Sequence, residues 1–494
     1  SDYKRASCIF YSYFKKTNLT NMYILVSVTA YMAVVIAACS LNFQRALPLF
    51  IITVLAIFVI CWDILIGKGK EYMVFFRMSC LTLFFPRVLH AAFIVTIICW
   101  LIFDTAKQGS HQLISFGGLV MYVLLMFIFS KYPNRVVWRP VFSGIGMQFI
   151  LGLLILRTKV GFDVFNWLGI QIQVSYWAKS LIFMEFSVLP IVVFFSTVMS
   201  MLYHVGFMQW LIGKTESPLL IRPYLPYITK SELHAVMTAG FSTIAGSVLG
   251  AYISLGVSAS HLLTASVMSA PASLAMSKLF WPETEKPTVT LRTGLQIAKG
   301  ESKNLLEAAS QGASTSILLV ANIAVNLISF LALLAFVDSA LSWVGNLFDY
   351  PQLNFENICA YVFMPFSFMM GVDWEDSFIV GGLLGYKTFF NEFVAYERLS
   401  KLIHIREKGG SMYINGVKQY MTVRSEVIAT YALCGFANFG SLGLVIGGLT
   451  SIAPSKKKEI AGGAFRAMIA GTVACFMTAC VAGTVDNFGV FYRQ

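Results

Sequence analysis

Two glutamates, Glu216 and Glu392, stand in segments too apolar to be ordinary surface loops. A carboxylate at membrane depth is costly, so it points to function unless it sits at headgroup level facing water. A carboxylate accepts two hydrogen bonds from a vicinal diol, and an amide such as Asn438 both donates and accepts. Ser441 follows Asn438 by three positions, which puts them on one face wherever the chain is helical. Phe436, just ahead, offers an apolar wall. Such a set suits a neutral, polyhydroxylated solute, whereas an anion would want Arg or Lys at a helix N-terminus. The competing use of small polar residues is to join membrane helices. Lys387 could neutralise a nearby carboxylate or snorkel to the interface, and Glu397 with Arg398 reads as an interfacial pair.

Enzymatic chemistry has no comparable constellation. The sequence holds no phosphate-binding Gly-rich loop of the Walker type, no zinc-ligating His pair and no G-x-S-x-G elbow. Its six histidines are scattered and form no dyad in sequence. We therefore expect no enzyme.

The elements that would carry these residues are membrane spans. The 494 residues are 57% hydrophobic and 12% charged, with a mean hydropathy of +0.73, outside the range of soluble domains. Runs approaching the ~20 apolar residues that a bilayer needs are predicted over 22–41, 46–66, 88–103, 114–130, 141–156, 183–205, 235–257, 261–280, 316–343, 355–372, 427–453 and 461–484. The net charge of +12 is spread over loops instead of one face, which argues against nucleic acid. Lys4, Arg5, Lys15, Lys16, Lys68, Lys70, Arg77, Arg87, Lys131, Arg135 and Arg139 fall on one predicted side and only Arg45, Lys107, Arg157 and Lys159 on the other, the positive-inside pattern for a cytoplasmic N-terminus. The first apolar run reads as an anchor, not a cleaved signal. Asn18-Leu19-Thr20 has the form of a glycosylation sequon but lies on the predicted cytoplasmic side. The nine cysteines fall mostly in apolar runs without disulfide or metal spacing and read as small core residues.

After about residue 210, Gly, Ser, Thr, Asn and Glu enter the apolar runs, and an order of features occurs twice. Thr215-Glu216, Ser231-Glu232 and Gly240 to Ser247 are matched by Asn391-Glu392, Ser425-Glu426 and Gly435 to Ser441. Duplicated, Gly-interrupted spans are the mark of a transporter built from two related halves, because unwound backbone is tolerated in a membrane only where protein or a polar cavity satisfies it.

At this point the residues resemble a known family. Gly385-Tyr386-Lys387-Thr388-Phe389-Phe390-Asn391-Glu392-Phe393-Val394-Ala395-Tyr396-Glu397-Arg398-Leu399 is similar to the signature G-x-K-x-x-x-N-E-F-V-A-Y-x-x-L of the concentrative nucleoside transporters. Thr215 to Leu220 and Gly435 to Ser441 resemble the family too, as does most of the chain from about residue 40, with the greatest likeness to the broad-selectivity vertebrate members. The resemblance implies an all-α polytopic membrane protein, with an inverted-repeat transport domain of re-entrant hairpins and broken helices beside a scaffold. It implies a plasma-membrane homotrimer in contact with lipid that imports purine and pyrimidine nucleosides, of the uridine and adenosine class, with sodium by an elevator motion. Thr215 and Glu216 would face the nucleobase, Glu392, Asn438 and Ser441 the ribose, and Phe436 the nucleoside as a whole. Thr243 and Ile244 match the cation site, where a hard cation takes oxygen ligands.

The likeness implies an N-terminal and peripheral part over 1–112, scaffold helices over 113–205, a first half over 206–315, a scaffold helix over 316–354 and a second half over 355–494. The chain departs from the family's pattern before Thr215. There Gln209 to Lys214 is shorter than the limb needed to reach the midplane, ~10 helical residues, and Lys214 stands where a base-reading Gln is expected. The asparagine and valine that complete the family's cation site are missing from this run, and Gln171 to Phe183 is also short. A shortened first hairpin predicts impaired sodium coupling. Two alternatives follow: a non-transporting or dominant-negative subunit, and an elevator transporter of another polar solute.

Overall fold

The computed structural model describes residues 110–174, 225, 227–244, 246–285, 304–348, 353–414 and 417–485, with Thr53, Thr197 and Met201 as single helical positions. The chain divides into two units, Ser1–Cys99 and Trp100–Gln494. Of the first, only Thr53, buried in a helix, is described. The predicted spans 22–41 and 88–103, all of 46–66 but Thr53, most of 183–205, and both Thr215 and Glu216 lie outside the described residues.

The second unit is helical throughout its described length apart from turns and one pair of two-residue strands. Three apolar helices come first, α1 (Ser110–Ile128), α2 (Trp138–Leu156) and α3 (Lys159–Val174). The first of the two halves predicted from the sequence then includes α4 (Lys230–Ser242), α5 (Gly246–Ser254) and α6 (Ala259–Phe280). A 43-residue helix, α7 (Leu305–Leu347), leads to the second half. That half comprises α8 (Phe355–Met369), α9 (Ser377–Phe389), α10 (Glu392–Glu407), the antiparallel strands β1 (Tyr413–Ile414) and β2 (Val417–Lys418), α11 (Val423–Leu433), α12 (Phe439–Ile452) and α13 (Lys457–Val485). This is the all-α polytopic class that the sequence predicts.

Local chemistry sets where the short helices start. Thr229 and Glu232 form a reciprocal capping box on α4, and Asn391, Thr422 and Asn438 each accept a backbone N–H at the start of α10, α11 and α12. Each such cap contributes about 1 kcal/mol. The spans predicted over 235–257 and 427–453 each prove to be two helices with a break between. The pair α9 and α10 was not among the predicted spans, because 13 and 16 residues are too few to cross ~30 Å. They fold against each other as a hairpin whose tip is Phe390-Asn391.

The core is α13, buried along most of its 29 residues, with α1, α2, α4, α6, α11 and α12 packed around it. Small residues allow the close approach. A methyl group at Gly471 would stand 2.6 Å from Phe241 Cβ on α4, so glycine there lets the two backbones meet. Among the described residues three helices, His111–Ile128, Trp138–Leu156 and Pro454–Val485, are long and apolar enough to span a membrane. Leu124, Ile128, Phe142 and Leu154 are exposed on α1 and α2, as lipid-facing side chains would be. The described cysteines Cys359, Cys434, Cys475 and Cys480 are buried and free.

The expected pairing of Glu397 with Arg398 is corrected. Arg398 Nη1 contacts Glu356 Oε2 at 2.8 Å, and Lys401 reaches Glu397 at 2.8 Å. Neighbours on a helix diverge by about 100°, which turns Arg398 towards α8 and leaves Glu397 to the residue one turn on.

Candidate functional site

The second half assembles a polar site from its helix ends. Asn391 Oδ1 accepts from the Val394 backbone N–H at 3.0 Å, which fixes Glu392 as the first residue of α10. Its side chain is buried, 3% exposed, at the positive end of the helix dipole. Tyr252 donates its hydroxyl to Glu392 Oε1 at 3.0 Å, and Asn438 Nδ2 donates to Oε2 at 2.7 Å. Asn438 is simultaneously the cap of α12, accepting from Ser441 N at 2.7 Å. One carboxylate therefore ties together a hairpin tip, a broken helix of its own half and, through Tyr252 on α5, the broken helix of the other half. Two partners leave lone pairs of the carboxylate for a bound diol.

Of the residues singled out in the sequence, Glu392, Asn438 and Ser441 come together in this way. Phe436 is half-buried beside them, in a turn closed by the Asn438 N–H bonding the Phe436 carbonyl at 2.9 Å. Tyr252 was missed. Its signal is weak in sequence, since a tyrosine in an apolar span reads as packing, and its ring does pack at 4.9 and 4.6 Å from Phe393 and Tyr396. Also missed was Phe439, exposed and stacked on Phe389 at 5.5 Å, an aromatic surface next to the site.

Thr243 and Ile244 form the break between α4 and α5. The Thr243 backbone N–H and hydroxyl both donate to Ala239 O, at 3.2 and 2.8 Å. The hydroxyl oxygen thus keeps its lone pairs for another donor or a cation. Among the described residues no cluster of His, Cys, Asp and Glu could hold a metal, so a cation here would depend on hydroxyl and backbone oxygens. The two breaks touch. Gly435 has φ +121°, and a methyl group on it would stand 2.9 Å from Phe241 O and 3.0 Å from Ser242 O.

At the far end of the hairpin, Lys418 contacts Asp376 at 2.7 Å and Glu375 at 3.2 Å. Tyr413 donates to Glu375 at 2.8 Å. These bonds from Tyr413 and Lys418 hold the Glu375 carboxyl below its ordinary range, while burial pulls Lys418 down and Asp376 outweighs it to hold the ammonium above.

Residues 117–175 match the model of the Na+ dependent nucleoside transporter N-terminus, and 261–483 that of the C-terminus. Human solute carrier family 28 member 3 is 61% identical, across 96% of this chain and 75% of its own. The chain belongs to this family of transporters. Identity is lower, 46% over 92% of the chain and 75% of the relative, with sodium/nucleoside cotransporter 2 of Rattus norvegicus, which places the chain with the broad-selectivity vertebrate type. The human alignment runs over 517 residues, more than this chain's 494. The relative therefore carries internal residues without a counterpart here. Among solved structures, CNTnw in an inward-facing substrate-bound state is 29% identical with a TM-score of 0.68, covering 77% of this chain and 98% of its own. A CNTnw variant in an outward-facing state gives a TM-score of 0.70 at the same identity, covering 77% and 99%.

Proposed function

We propose that the protein imports nucleosides across the plasma membrane with sodium, by an elevator motion of the transport domain. The observation that carries this reading is the buried Glu392, bonded at once by Asn438 and Tyr252 in a chain of this family. A desolvated carboxylate flanked by neutral donors holds a ribose diol well and repels anions. Ser441 contributes beside Asn438, and Phe436 with the stacked Phe439 supplies apolar surface. Thr215 and Glu216 face the nucleobase in this reading. Sodium, the driving cargo, binds through oxygens of Thr243 and Ile244. Both purine and pyrimidine nucleosides are carried, and the working unit is a homotrimer. The halves at 206–315 and 355–494 carry the site, and α7, within 316–354, belongs to the scaffold.

Ion and solute couple if the ion stabilises the conformation that accepts the solute, since a ligand shifts an equilibrium only by its differential affinity. Labelled uridine uptake in cells lacking nucleoside transport tests the proposal. An inward sodium gradient should raise uptake, and adenosine should compete. Background uptake, together with a lowered rate of a co-expressed intact relative, would mean a non-transporting subunit. Sodium-driven transport of a solute that uridine and adenosine do not displace would mean another substrate class.

A further inference from the structure

One side of α1 is an apolar groove that ends in positive charge. Gly117, Val120, Leu124 and Ile128 recur at three- and four-residue spacing, which puts them on one face of the helix. With Phe129 they line an open cavity of about 390 Å³. Val120, Leu124, Ile128 and Phe129 are exposed. A methyl group on Gly117 would meet nothing within 4 Å, whereas one on Gly118 would stand 1.9 Å from Met369 O. From Gly117 to Phe129 the helix rises about 18 Å, close to the ~15 Å of one leaflet of the hydrocarbon core.

The charge sits where the groove stops. Phe129 O accepts from Arg466 Nη2 of α13 at 2.7 Å, and the guanidinium lies 4.2 Å from the centre of the Phe280 ring. Two residues on, the Lys131 ammonium lies 3.5 Å from the centre of the Trp281 ring. The end of α6 holds this turn in place. Leu279 O accepts from the Ser130 hydroxyl at 2.7 Å, and Phe280 O from the Lys131 backbone N–H at 3.0 Å. Desolvation, then the charges of Arg466 and Lys230, holds the Lys131 ammonium below its ordinary range. Glu283 and Glu285 are already engaged, by Lys278 at 3.0 Å and Lys230 at 3.4 Å. Among the described residues neither Lys131 nor Arg466 forms an ion pair with a carboxylate, and the buried Arg466 Nε has no hydrogen-bond partner. An unmet buried donor is costly, and neighbouring cations in a low dielectric call for an anion.

This end of α1 lies at headgroup level. The exposed Tyr132 and Trp138 follow the span, as interfacial aromatics do. Arg135 and Arg139 are exposed beside them, on the side that the positive-inside pattern makes cytoplasmic. Basic pockets between helices on that side suit anionic headgroups.

We propose that an anionic phospholipid of the cytoplasmic leaflet docks here, one acyl chain in the α1 groove and its phosphate between Lys131 and Arg466. Charge complementarity selects a lipid over an apolar partner helix, which would leave both cations unanswered. The groove selects it over a soluble phosphate. The site is independent of the transported solute and of sodium.

The test titrates the full-length protein in detergent with phosphatidylserine, with phosphatidylcholine of the same chains, and with glycerol phosphate. The readouts are lipid retained per chain by native mass spectrometry and the unfolding temperature. Wild type should retain phosphatidylserine, unfold at a higher temperature with it, and bind phosphatidylcholine about tenfold more weakly. Lys131→Gln should abolish that preference. Gly117→Phe, which fills the groove, should weaken both lipids, and Arg139→Gln, exposed at the same level but outside the cluster, should behave as wild type. Equal retention of the two lipids by wild type overturns the proposal and needs no variant to fold. So does an unchanged preference in Lys131→Gln, unchanged retention in Gly117→Phe, or a loss in Arg139→Gln as large as in Lys131→Gln. Glycerol phosphate that raises the unfolding temperature as much as phosphatidylserine would make this a soluble-phosphate site. No retained phosphatidylserine, with oligomers lost in Gly117→Phe, would give the groove to a second copy of the chain.

Discussion

The two helix breaks are built differently. In the second half, Lys387 and Tyr396 reach the carbonyls of Ala432 and Thr430 from the hairpin, Cys475 reaches Cys434 from α13, and Asn438 locks the restart of the helix to Glu392. Its backbone is satisfied by side chains from distant parts of the chain. In the first half, Ser242 and Thr243 donate their hydroxyls only to Ala239, three and four residues back. Cys475 of α13 also reaches the Ser242 carbonyl, at 3.7 Å, while the Thr243 hydroxyl oxygen keeps its lone pairs for a ligand. One half thus carries a preformed polar site, which the proposed function assigns to the solute, and the proposed sodium ion falls at the other.

The contrast can be broken most severely where the two breaks touch. Gly435→Val combines a left-handed backbone position, ~1 to 3 kcal/mol, with overpacking of about the same size. A large drop in unfolding temperature and loss of surface protein are expected. Wild-type stability would mean that the breaks do not lean on each other. Glu392→Gln comes next. It removes charge-assisted bonds worth ~1.5 to 3 kcal/mol, so uridine should bind about 10- to 150-fold more weakly, and an unchanged binding curve would detach Glu392 from the solute. Asn438→Ala should act in the same direction by ~1 to 2 kcal/mol, through the lost donor and the lost cap. Tyr252→Phe tests the bridge between halves, with about 1 kcal/mol expected, or roughly a fivefold loss of affinity. The smallest effect belongs to Arg398→Met. Its ion pair with Glu356 is over a third exposed on both sides, and such pairs contribute ~0 to 1 kcal/mol, so uptake should change by no more than about fivefold.

Much of the site was legible in the sequence for definite reasons. Glu392, Asn438 and Ser441 stood out because polar groups in apolar runs are costly enough to be noticed. The break at Gly435 was marked by its glycine and by the duplicate at Gly240. The hairpin helices α9 and α10 escaped the span search because, at 13 and 16 residues, they fall short of the ~20 that a span needs. Arg398 was paired with its sequence neighbour because the true partner, Glu356, is 42 residues away.

The sequence by itself determined the membrane class, the duplicated order, the family likeness and the residue types of the candidate site. Composition, periodicity and motif are local properties of a chain, and a bilayer's demand for apolar length is simple enough to read from them. Only the tertiary structure decided where the side chains of Tyr252 and Lys387 point, and that the two breaks meet at Gly435. A residue's direction depends on helix rotation and packing, and its partner on contacts across 140 residues for Tyr252 and Glu392 and 45 for Lys387 and Ala432, which no local pattern encodes.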